Sequence, residues 1–82
     1  MHRFYFDIHD GERFTRDEVG SLCQGRKAMR DAAIKVLPDI ARDELPDGDR
    51  RDFMVEVRNE DGHYLFRATL SLAAEWLDHQ DG

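Results

Sequence analysis

The N-terminal part of the chain alternates apolar and polar residues in a way that predicts a β-hairpin. Three large apolar residues recur at every second position: Phe4, Phe6 and Ile8. Because successive side chains of a strand point to opposite faces, this pattern predicts a strand over residues 2–8 with one apolar face. Asp10-Gly11 follows and is a strong hairpin signal, so we expect a return strand over residues 12–16.

The register of this hairpin depends on which loop length keeps similar side chains on one face. A two-residue loop would pair Ile8 with Arg13 and would mix apolar and polar side chains. A three-residue loop over residues 9–11 pairs Phe6 with Phe14 instead. We therefore predict the three-residue loop, with its glycine in the left-handed position of a bulge.

A second alternating region surrounds Asp61-Gly62 and predicts two more strands. These strands span residues 52–58 and 63–71. Their apolar side consists of Phe53, Val55 and Val57 on one strand and Tyr64, Phe66, Ala68 and Leu70 on the other. A two-residue loop pairs Val57 with Phe66, and a four-residue loop pairs Val57 with Tyr64. Both registers preserve the apolar face, so the pattern leaves both open.

Between the two hairpins, apolar residues recur at spacings of one, three and four and predict a helix. The apolar stripe comprises Ala28, Met29, Ala32, Ala33, Val36, Leu37, Ile40 and Ala41. The helix is expected to begin near residues 24–26 and to end near Glu44. Pro38 lies inside it and removes a backbone hydrogen bond, but the stripe continues beyond the proline. We therefore favour one helix kinked at Pro38, with two shorter helices as the alternative.

The pattern changes again after the last predicted strand. Leu72, Ala73, Trp76 and Leu77 are spaced as in a short C-terminal helical turn, for which Ser71 is the N-cap. The alternative is that the preceding strand continues further. The tail, residues 78–82, is expected to fray.

These elements predict one small α+β domain over residues 1–82. The predicted architecture is a two-layer ββαββ fold, with a four-stranded antiparallel sheet in the order 2-1-3-4 and one long helix packed on one face. This arrangement places the two Asp-Gly turns at opposite ends of the sheet. His9 and His63, one beside each turn, are therefore expected to lie far apart.

Composition and charge indicate a globular domain and argue against binding to nucleic acids or membranes. At 40% hydrophobic and 37% charged residues, the 82-residue chain is typical of a globular domain. Residues 1–41 carry seven basic and seven acidic side chains, so the whole net charge of −6 lies in residues 42–82. Because an acidic domain repels phosphate backbones, nonspecific nucleic-acid binding is disfavoured. With no apolar leader and no membrane-length apolar run, the sequence predicts a cytoplasmic protein that does not contact membranes.

The polar residues form no recognisable catalytic or metal-binding pattern. His2, His9, His63 and His79 lack the paired spacing of a metal site. Cys23 is the only cysteine, so a disulfide within the chain is excluded and a small loop or core residue is expected there. The acidic loops do not match an EF-hand calcium loop. We therefore expect no enzymatic activity, no cofactor and no metal ion.

Two surfaces are candidates for binding. The first is the sheet face away from the helix, where aromatic, aliphatic and arginine side chains are mixed as in protein interfaces. Its residues are Tyr5, Met54, Leu65 and Arg67. A basic cluster near the start of the helix is the candidate nucleic-acid contact. It consists of Arg26, Lys27 and Arg30. We favour a non-catalytic interaction or regulatory module that self-associates as a homodimer, through the sheet face or an edge strand. The alternative is an antitoxin-like, nucleic-acid-associated regulator.

Several segments also resemble a known family. The opening Arg3-Phe4-Tyr5-Phe6-Asp7-Ile8-His9-Asp10-Gly11, followed by Asp17-Glu18-Val19-Gly20, is similar to the start of a family of short uncharacterised proteins abundant in alphaproteobacteria. Residues 40–51 and 66–70 are similar to the same family. The resemblance implies a small stand-alone cytoplasmic protein and assigns no catalytic residue. The function therefore stays open after the resemblance is taken into account.

Overall fold

The computed structural model describes residues 1–78, in which one helix and five strands are formed. The elements are β1 (His2–His9), β2 (Phe14–Thr15), β3 (Ser21–Cys23), α1 (Arg26–Glu44), β4 (Arg50–Arg58) and β5 (Tyr64–Ala73). Apart from Asp78, the tail that was expected to fray lies outside the described residues.

The strands form one antiparallel sheet, and α1 packs on one of its faces. The main path through the sheet has the order β2-β1-β4-β5, and β3 also pairs with β1. The α+β class, with one helix on an antiparallel sheet, is confirmed. The four-stranded ββαββ arrangement is wrong in detail, because Ser21–Cys23 forms a fifth strand beside His2–Phe4. Three residues are too few to show an alternating pattern, which is why the sequence pattern did not predict this strand.

The core lies between α1 and the apolar side of the sheet. Four helix residues at intervals of four are buried: Met29, Ala33, Leu37 and Ala41. They pack against Phe4 of β1, the buried Cys23 of β3, and Phe53, Val55 and Val57 of β4. The prediction of a single helix through Pro38 is confirmed. Pro38 is exposed, so its ring does not interrupt the buried stripe that passes from Leu37 to Ala41.

The register predicted for the first hairpin is wrong. His9 pairs with Phe14 and Ile8 with Thr15, so four residues separate the strands instead of three. The Asp10 carboxylate accepts hydrogen bonds from the N–H groups of Glu12 at 3.0 Å and Arg13 at 2.7 Å, which stabilises this longer turn. Phe14 is 51% exposed and does not pair with Phe6. Local turn chemistry therefore outweighed the pairing of the two aromatic residues.

The second hairpin contains a bulge that the alternation did not reveal. The body of the hairpin follows the register that pairs Val57 with Phe66. Closer to the turn the register shifts, and Arg58 pairs with Tyr64. Because an extra residue reverses the direction of the side chains that follow it, Tyr64 lies on the face away from α1 and Leu65 packs against the core.

The C-terminal helical turn predicted from the spacing of Leu72 to Leu77 is wrong. β5 continues to Ala73, and the Ala74 N–H donates to the Asp49 carbonyl at 2.8 Å, so pairing with β4 extends one residue further. A single helical turn is marginal by itself, whereas an existing ladder supplies backbone partners at once. Trp76 and Leu77 follow the strand and are 88% and 92% exposed.

The two Asp-Gly turns lie at opposite ends of the sheet, as predicted. In the antiparallel pairing of β1 with β4, His9 at the first turn is opposite Met54, whereas Arg58 near the second turn is opposite Tyr5. A shared site for His9 and His63 is therefore excluded.

Candidate interaction surfaces

A buried ion pair lies at the centre of the open face, by which we mean the sheet face away from α1. Asp7 is 0% exposed and Arg58 is 7% exposed. Arg58 donates two hydrogen bonds to the Asp7 carboxylate, at 3.0 Å from Nε and 3.3 Å from Nη2. The Tyr64 hydroxyl and the Asp17 N–H also donate to it, at 2.8 Å and 2.9 Å. These donors compensate the carboxylate for its loss of water.

The hydrogen bonds determine the ionisation of this network. Burial raises the pKa of Asp7, but the hydrogen bonds from Arg58, Asp17 and Tyr64 outweigh it and hold the pKa below its usual value. Conversely, the hydrogen bond to Asp7 raises the pKa of Arg58. The same carboxylate raises the pKa of the Tyr64 hydroxyl, mainly because ionisation would remove the hydrogen bond that the hydroxyl donates to it. The network therefore contains one carboxylate and one guanidinium, both charged at neutral pH.

The loop between β2 and β3 is folded against β1 by Asp17. Its carboxylate accepts the Phe6 N–H at 3.0 Å. Phe6 lies between the parts of β1 that pair with β2 and β3, so a side chain takes the place of a neighbouring strand there. It also accepts the N–H groups of Val19 at 3.0 Å and Gly20 at 2.9 Å. Burial raises the pKa of Asp17, and these three backbone donors lower it by more. Arg58 donates to the Asp17 carbonyl at 2.6 Å and joins this loop to the buried pair.

Gly20 is required by the geometry of the same loop. Its φ is +77°, which L-residues with a side chain rarely adopt. A Cβ there would lie 3.0 Å from the Phe4 carbonyl oxygen and 2.9 Å from Cγ of Arg3. The loop can therefore approach β1 this closely only with glycine at this position.

A second chain of polar contacts crosses the open face beside the buried pair. Glu56, opposite Asp7 in the sheet, lies 2.9 Å from Nε2 of His9 and accepts a hydrogen bond of 2.6 Å from Nη2 of Arg67. The hydrogen bond from Arg67 is the main reason that the pKa of Glu56 is lowered. Within residues 1–78, no group of three His, Cys, Asp or Glu side chains lies close enough to hold a metal ion.

The four residues predicted to form an interface do not share one surface. Tyr5, Met54 and Arg67 belong to the open face, where Tyr5 lies 4.6 Å below the Arg58 guanidinium. Leu65 was predicted to lie with them, but the bulge places it against the core on the helix side. The open face is therefore dominated by side chains that already bind one another.

Arg51 is a further buried charge, and it lies on the helix side of the sheet. Its Nη2 donates to the Asp10 carbonyl at 2.7 Å, which joins the first turn to β4. The guanidinium lies 5.2 Å from the centre of the Phe53 ring and within 3.7 Å of Glu44. These contacts assign Arg51 to the fold.

The basic cluster lies at the start of α1, as predicted, but two of its three members are partly neutralised. Lys27 and Arg30 both bind the carboxylate of Asp31, at 2.8 Å and 3.1 Å. The hydrogen bond from Lys27 is the main cause of the lowered pKa of Asp31. No acidic residue occupies the first turn, and Gly25 at the N-cap offers no side chain to the free N–H groups.

An apolar groove lies between this end of α1 and the beginning of β5. It has a volume of about 240 Å³ and is lined by Met29, Leu65 and Phe66, with a rim formed by Arg26, Lys27 and Arg30. Sequence reasoning missed the groove, because Leu65 was placed on the other side of the sheet. We call this feature the basic-rimmed groove.

The outer edge of β5 differs from all of these sites. β5 is ten residues long, contains Arg67 as its one charged residue and has no proline or glycine. Among residues 1–78 no strand pairs with this edge. Leu70 on β5 is 39% exposed, and the exposed Trp76 and Leu77 follow the strand.

Comparison with known proteins places the chain in a family. A family model described as a domain of unknown function, DUF6894, matches residues 3–71. The chain belongs to the DUF6894 family. No curated protein and no solved structure matches it. Residues 1–78 of this DUF6894 protein form no helix with the length and apolar character of a membrane span.

The part of the DUF6894 protein matched by the family contains the whole buried network. Asp7, Asp17 and Gly20, in the segments on which the resemblance was based, have structural roles. Sequence reasoning did not find the pairing of Asp7 with Arg58, because both occupy alternating positions that read as a solvated strand face. A usable signal was the presence of Asp7 in the middle of a strongly apolar strand. Trp76 and Leu77 lie beyond the matched residues.

Proposed function

We propose that this protein is a non-catalytic cytoplasmic interaction module that acts as a homodimer through the outer edge of β5. The observation that carries the proposal is the outer edge of the ten-residue strand β5, which pairs with no other strand among residues 1–78 and carries a single charged side chain. Long, flat edge strands pair readily with another chain, and proteins usually protect them with charges, prolines or covering elements. The radius of gyration, 15.6 Å, also exceeds the roughly 12 Å typical of a compact chain of this length, so much surface is left to bury.

The hydrogen-bonding pattern identifies which residues of β5 are free to bind. Ala74 and Asp49 form a hydrogen-bonded pair, and such pairs alternate with non-hydrogen-bonded pairs along an antiparallel ladder. Leu72, Leu70 and Ala68 therefore bond to β4. The residues that direct their N–H and C=O groups outward are Arg67, Thr69, Ser71 and Ala73.

The open face is a weaker candidate for the same role. Its charged groups are occupied by each other: Asp7 by Arg58, and Glu56 by His9 and Arg67. A partner binding there would have to remove water from ion pairs that are already satisfied, with little apolar area in return. The edge of β5 instead offers unpaired backbone groups, which gain partners when they are covered.

Pairing of two copies of β5 has a defined geometry. An antiparallel pair related by a two-fold axis perpendicular to the sheet produces one continuous sheet, with both copies of α1 on the same side. The contact is isologous, so Leu70 of one copy lies close to Leu70 of the other in a register centred on that residue. The two exposed leucines then cover each other.

The test changes one backbone donor without changing the sheet face. Ser71→Pro removes an outward N–H that β4 does not use, whereas Ser71→Ala keeps it. We expect the unaltered protein and Ser71→Ala to have the mass of a dimer by light scattering at high micromolar concentration, and Ser71→Pro to be monomeric. Circular dichroism checks that Ser71→Pro is folded.

A second variant keeps the test decisive if the proline disturbs folding. Thr69→Lys retains every backbone donor and places a charge on the edge, and it is also expected to be monomeric. A monomeric unaltered protein at high micromolar concentration would overturn the proposal. So would dimers that persist in both Ser71→Pro and Thr69→Lys.

The nucleic-acid alternative rests on the basic cluster at the start of α1, whose first turn has no acidic residue. It is the weaker candidate because Asp31 binds two of the three cations and the chain carries a net charge of −6. A gel shift at low salt that disappears in the triple variant Arg26→Gln/Lys27→Gln/Arg30→Gln would favour it. Absence of a shift at low salt would rule it out.

A further inference from the structure

We propose that the C-terminal segment of one copy, residues 75–78, docks into the basic-rimmed groove of the other copy. This inference rests on the proposed homodimer and names the side-chain contacts that complete it. The segment reads Glu75-Trp76-Leu77-Asp78, so two large apolar residues are flanked by an acid on each side. Trp76 and Leu77 are 88% and 92% exposed, so the rest of residues 1–78 covers little of either side chain.

The groove is complementary to the segment in both polarity and charge. Its floor is apolar and formed by Met29, Leu65 and Phe66, and its volume is about 240 Å³. Its rim carries three cations, Arg26, Lys27 and Arg30, of which Asp31 neutralises part. The segment supplies the opposite arrangement, with an apolar centre and acidic ends. Matching of this kind selects a partner and orients it.

Pairing of the β5 edges brings the segment and the groove together. In an antiparallel dimer centred on Leu70, Arg67 of one copy is opposite Ala73 of the other, and the ladder places residues 75–77 opposite residues 63–65. Leu65 is part of the groove floor. A register centred on Ser71 shifts the segment by two residues and places it opposite residues 65–67 of β5, whereas one centred on Thr69 places it opposite the turn that precedes β5. By symmetry the contact forms twice.

The segment also supplies buried apolar surface, which strand pairing alone does not provide. Edge-to-edge hydrogen bonds replace bonds to water and contribute little net free energy, so a stable dimer requires apolar anchors. A buried tryptophan removes about 150–250 Å² of surface from water. The two copies of Trp76 and Leu77 would therefore form the main apolar part of the interface.

Trp76 is the only tryptophan, so its fluorescence reports directly on docking. We expect its emission to shift to shorter wavelength as concentration rises, with the same midpoint as dimer formation followed by light scattering. A dimer whose tryptophan emission does not change would overturn the docking and leave the homodimer standing. An emission shift that is independent of concentration would also overturn it, because the tryptophan would then be buried within its own chain. Absence of any dimer would overturn both proposals.

Variants separate the docked segment from the paired edge. Trp76→Ala is expected to weaken dimerisation at least about tenfold, and Leu65→Ala in the opposing groove to weaken it similarly. Unchanged dimerisation in Trp76→Ala would contradict the proposal. Because Leu65 also touches the core, circular dichroism and a melting curve are needed for Leu65→Ala.

The charge contribution has its own matched control. Glu75→Lys/Asp78→Lys removes the acidic ends, and we expect weaker dimerisation with a smaller dependence on salt. The control, Glu12→Lys/Asp43→Lys, makes the same change in net charge at two exposed sites away from the groove. Equal effects of the two double variants would show that only net charge matters and would overturn the proposed contact.

Discussion

The two edges of the sheet are built in opposite ways. At the first edge, β2 and β3 contribute only two and three residues, and the loop between them is fixed by Asp17. The Asp17 carboxylate accepts the Phe6 N–H at 3.0 Å, so a donor that would otherwise face solvent is paired. At the second edge, β5 presents ten residues in a row with one charge and no covering element among residues 1–78.

The buried ion pair of the open face supports the first edge of the sheet, not the second. Short strands and a folded loop protect the first edge from pairing with another molecule, and the loop is attached through Asp7, Arg58 and Asp17. Among residues 1–78, no short strand or folded loop protects the second edge in this way. Substitutions at the first edge should therefore change folding, and substitutions at the second should change association.

The largest effect is expected from removing Asp7. Asp7→Ala leaves Arg58 buried without its main partner, and we expect a loss of about 3–5 kcal/mol in the free energy of unfolding. Because a domain of this size is stable by roughly 5 kcal/mol, the variant should be largely unfolded at 37 °C. Urea unfolding followed by circular dichroism measures the loss.

The matched control is the double variant Asp7→Leu/Arg58→Met, in which neither charge remains. It should be more stable than Asp7→Ala, because no uncompensated charge is buried. If the two variants were equally unstable, the lost stability would come from packing, and the ion pair would not stabilise the first edge.

The sequence predicted the parts of the fold that depend on regular apolar patterns. The buried stripe of α1, the apolar side of β4 and the positions of both Asp-Gly turns follow from periods of four and two residues. Patterns that extend over eight or more residues are redundant, so a single irregular residue does not conceal them.

The remaining features depend on single residues, which an alternating pattern cannot resolve. The bulge beside Arg58 exchanged the faces of Tyr64 and Leu65 and thereby created both the Tyr64–Asp7 hydrogen bond and the groove. The longer first turn depends on the Asp10 carboxylate. The alternating pattern therefore could not predict the Tyr64–Asp7 hydrogen bond, the groove or the length of the first turn.

The next largest effect is expected at Gly20, which lets the loop approach β1. Gly20→Ala should lower the free energy of unfolding by about 1–3 kcal/mol, because φ is +77° and the new Cβ would lie 3.0 Å from a backbone oxygen. The control is Gly25→Ala, whose φ of −176° is ordinary extended backbone and whose Cβ would meet no atom within 4 Å. Equal losses in the two variants would argue against a close approach at the first edge.

A smaller, graded effect is expected from acid. Asp7 and Asp17 have lower pKa values in the folded chain than the ordinary value of 3.8, so they contribute stability that is complete well above pH 4. This contribution is lost as the pH falls through their folded pKa values. Urea unfolding between pH 7 and pH 2 should therefore show a decline that begins near pH 4 and is shallower in Asp7→Asn. An equally steep decline in that variant would mean that other carboxylates are responsible.

The smallest effect on folding is expected at the second edge, from Arg67. Its side chain is 64% exposed, and water can replace its two hydrogen bonds to Glu56. Arg67→Ala should therefore lower the free energy of unfolding by less than about 1 kcal/mol, far less than the loss in Asp7→Ala, although both residues belong to ion pairs on the same sheet face. Urea unfolding at low and high salt is the measurement, and the small difference should shrink further at high salt. Lys is the control substitution, since Arg67→Lys keeps the charge. If Arg67→Ala destabilised the chain as much as Asp7→Ala, the open face would be one cooperative network, and the two edges would not differ in the way their structures indicate.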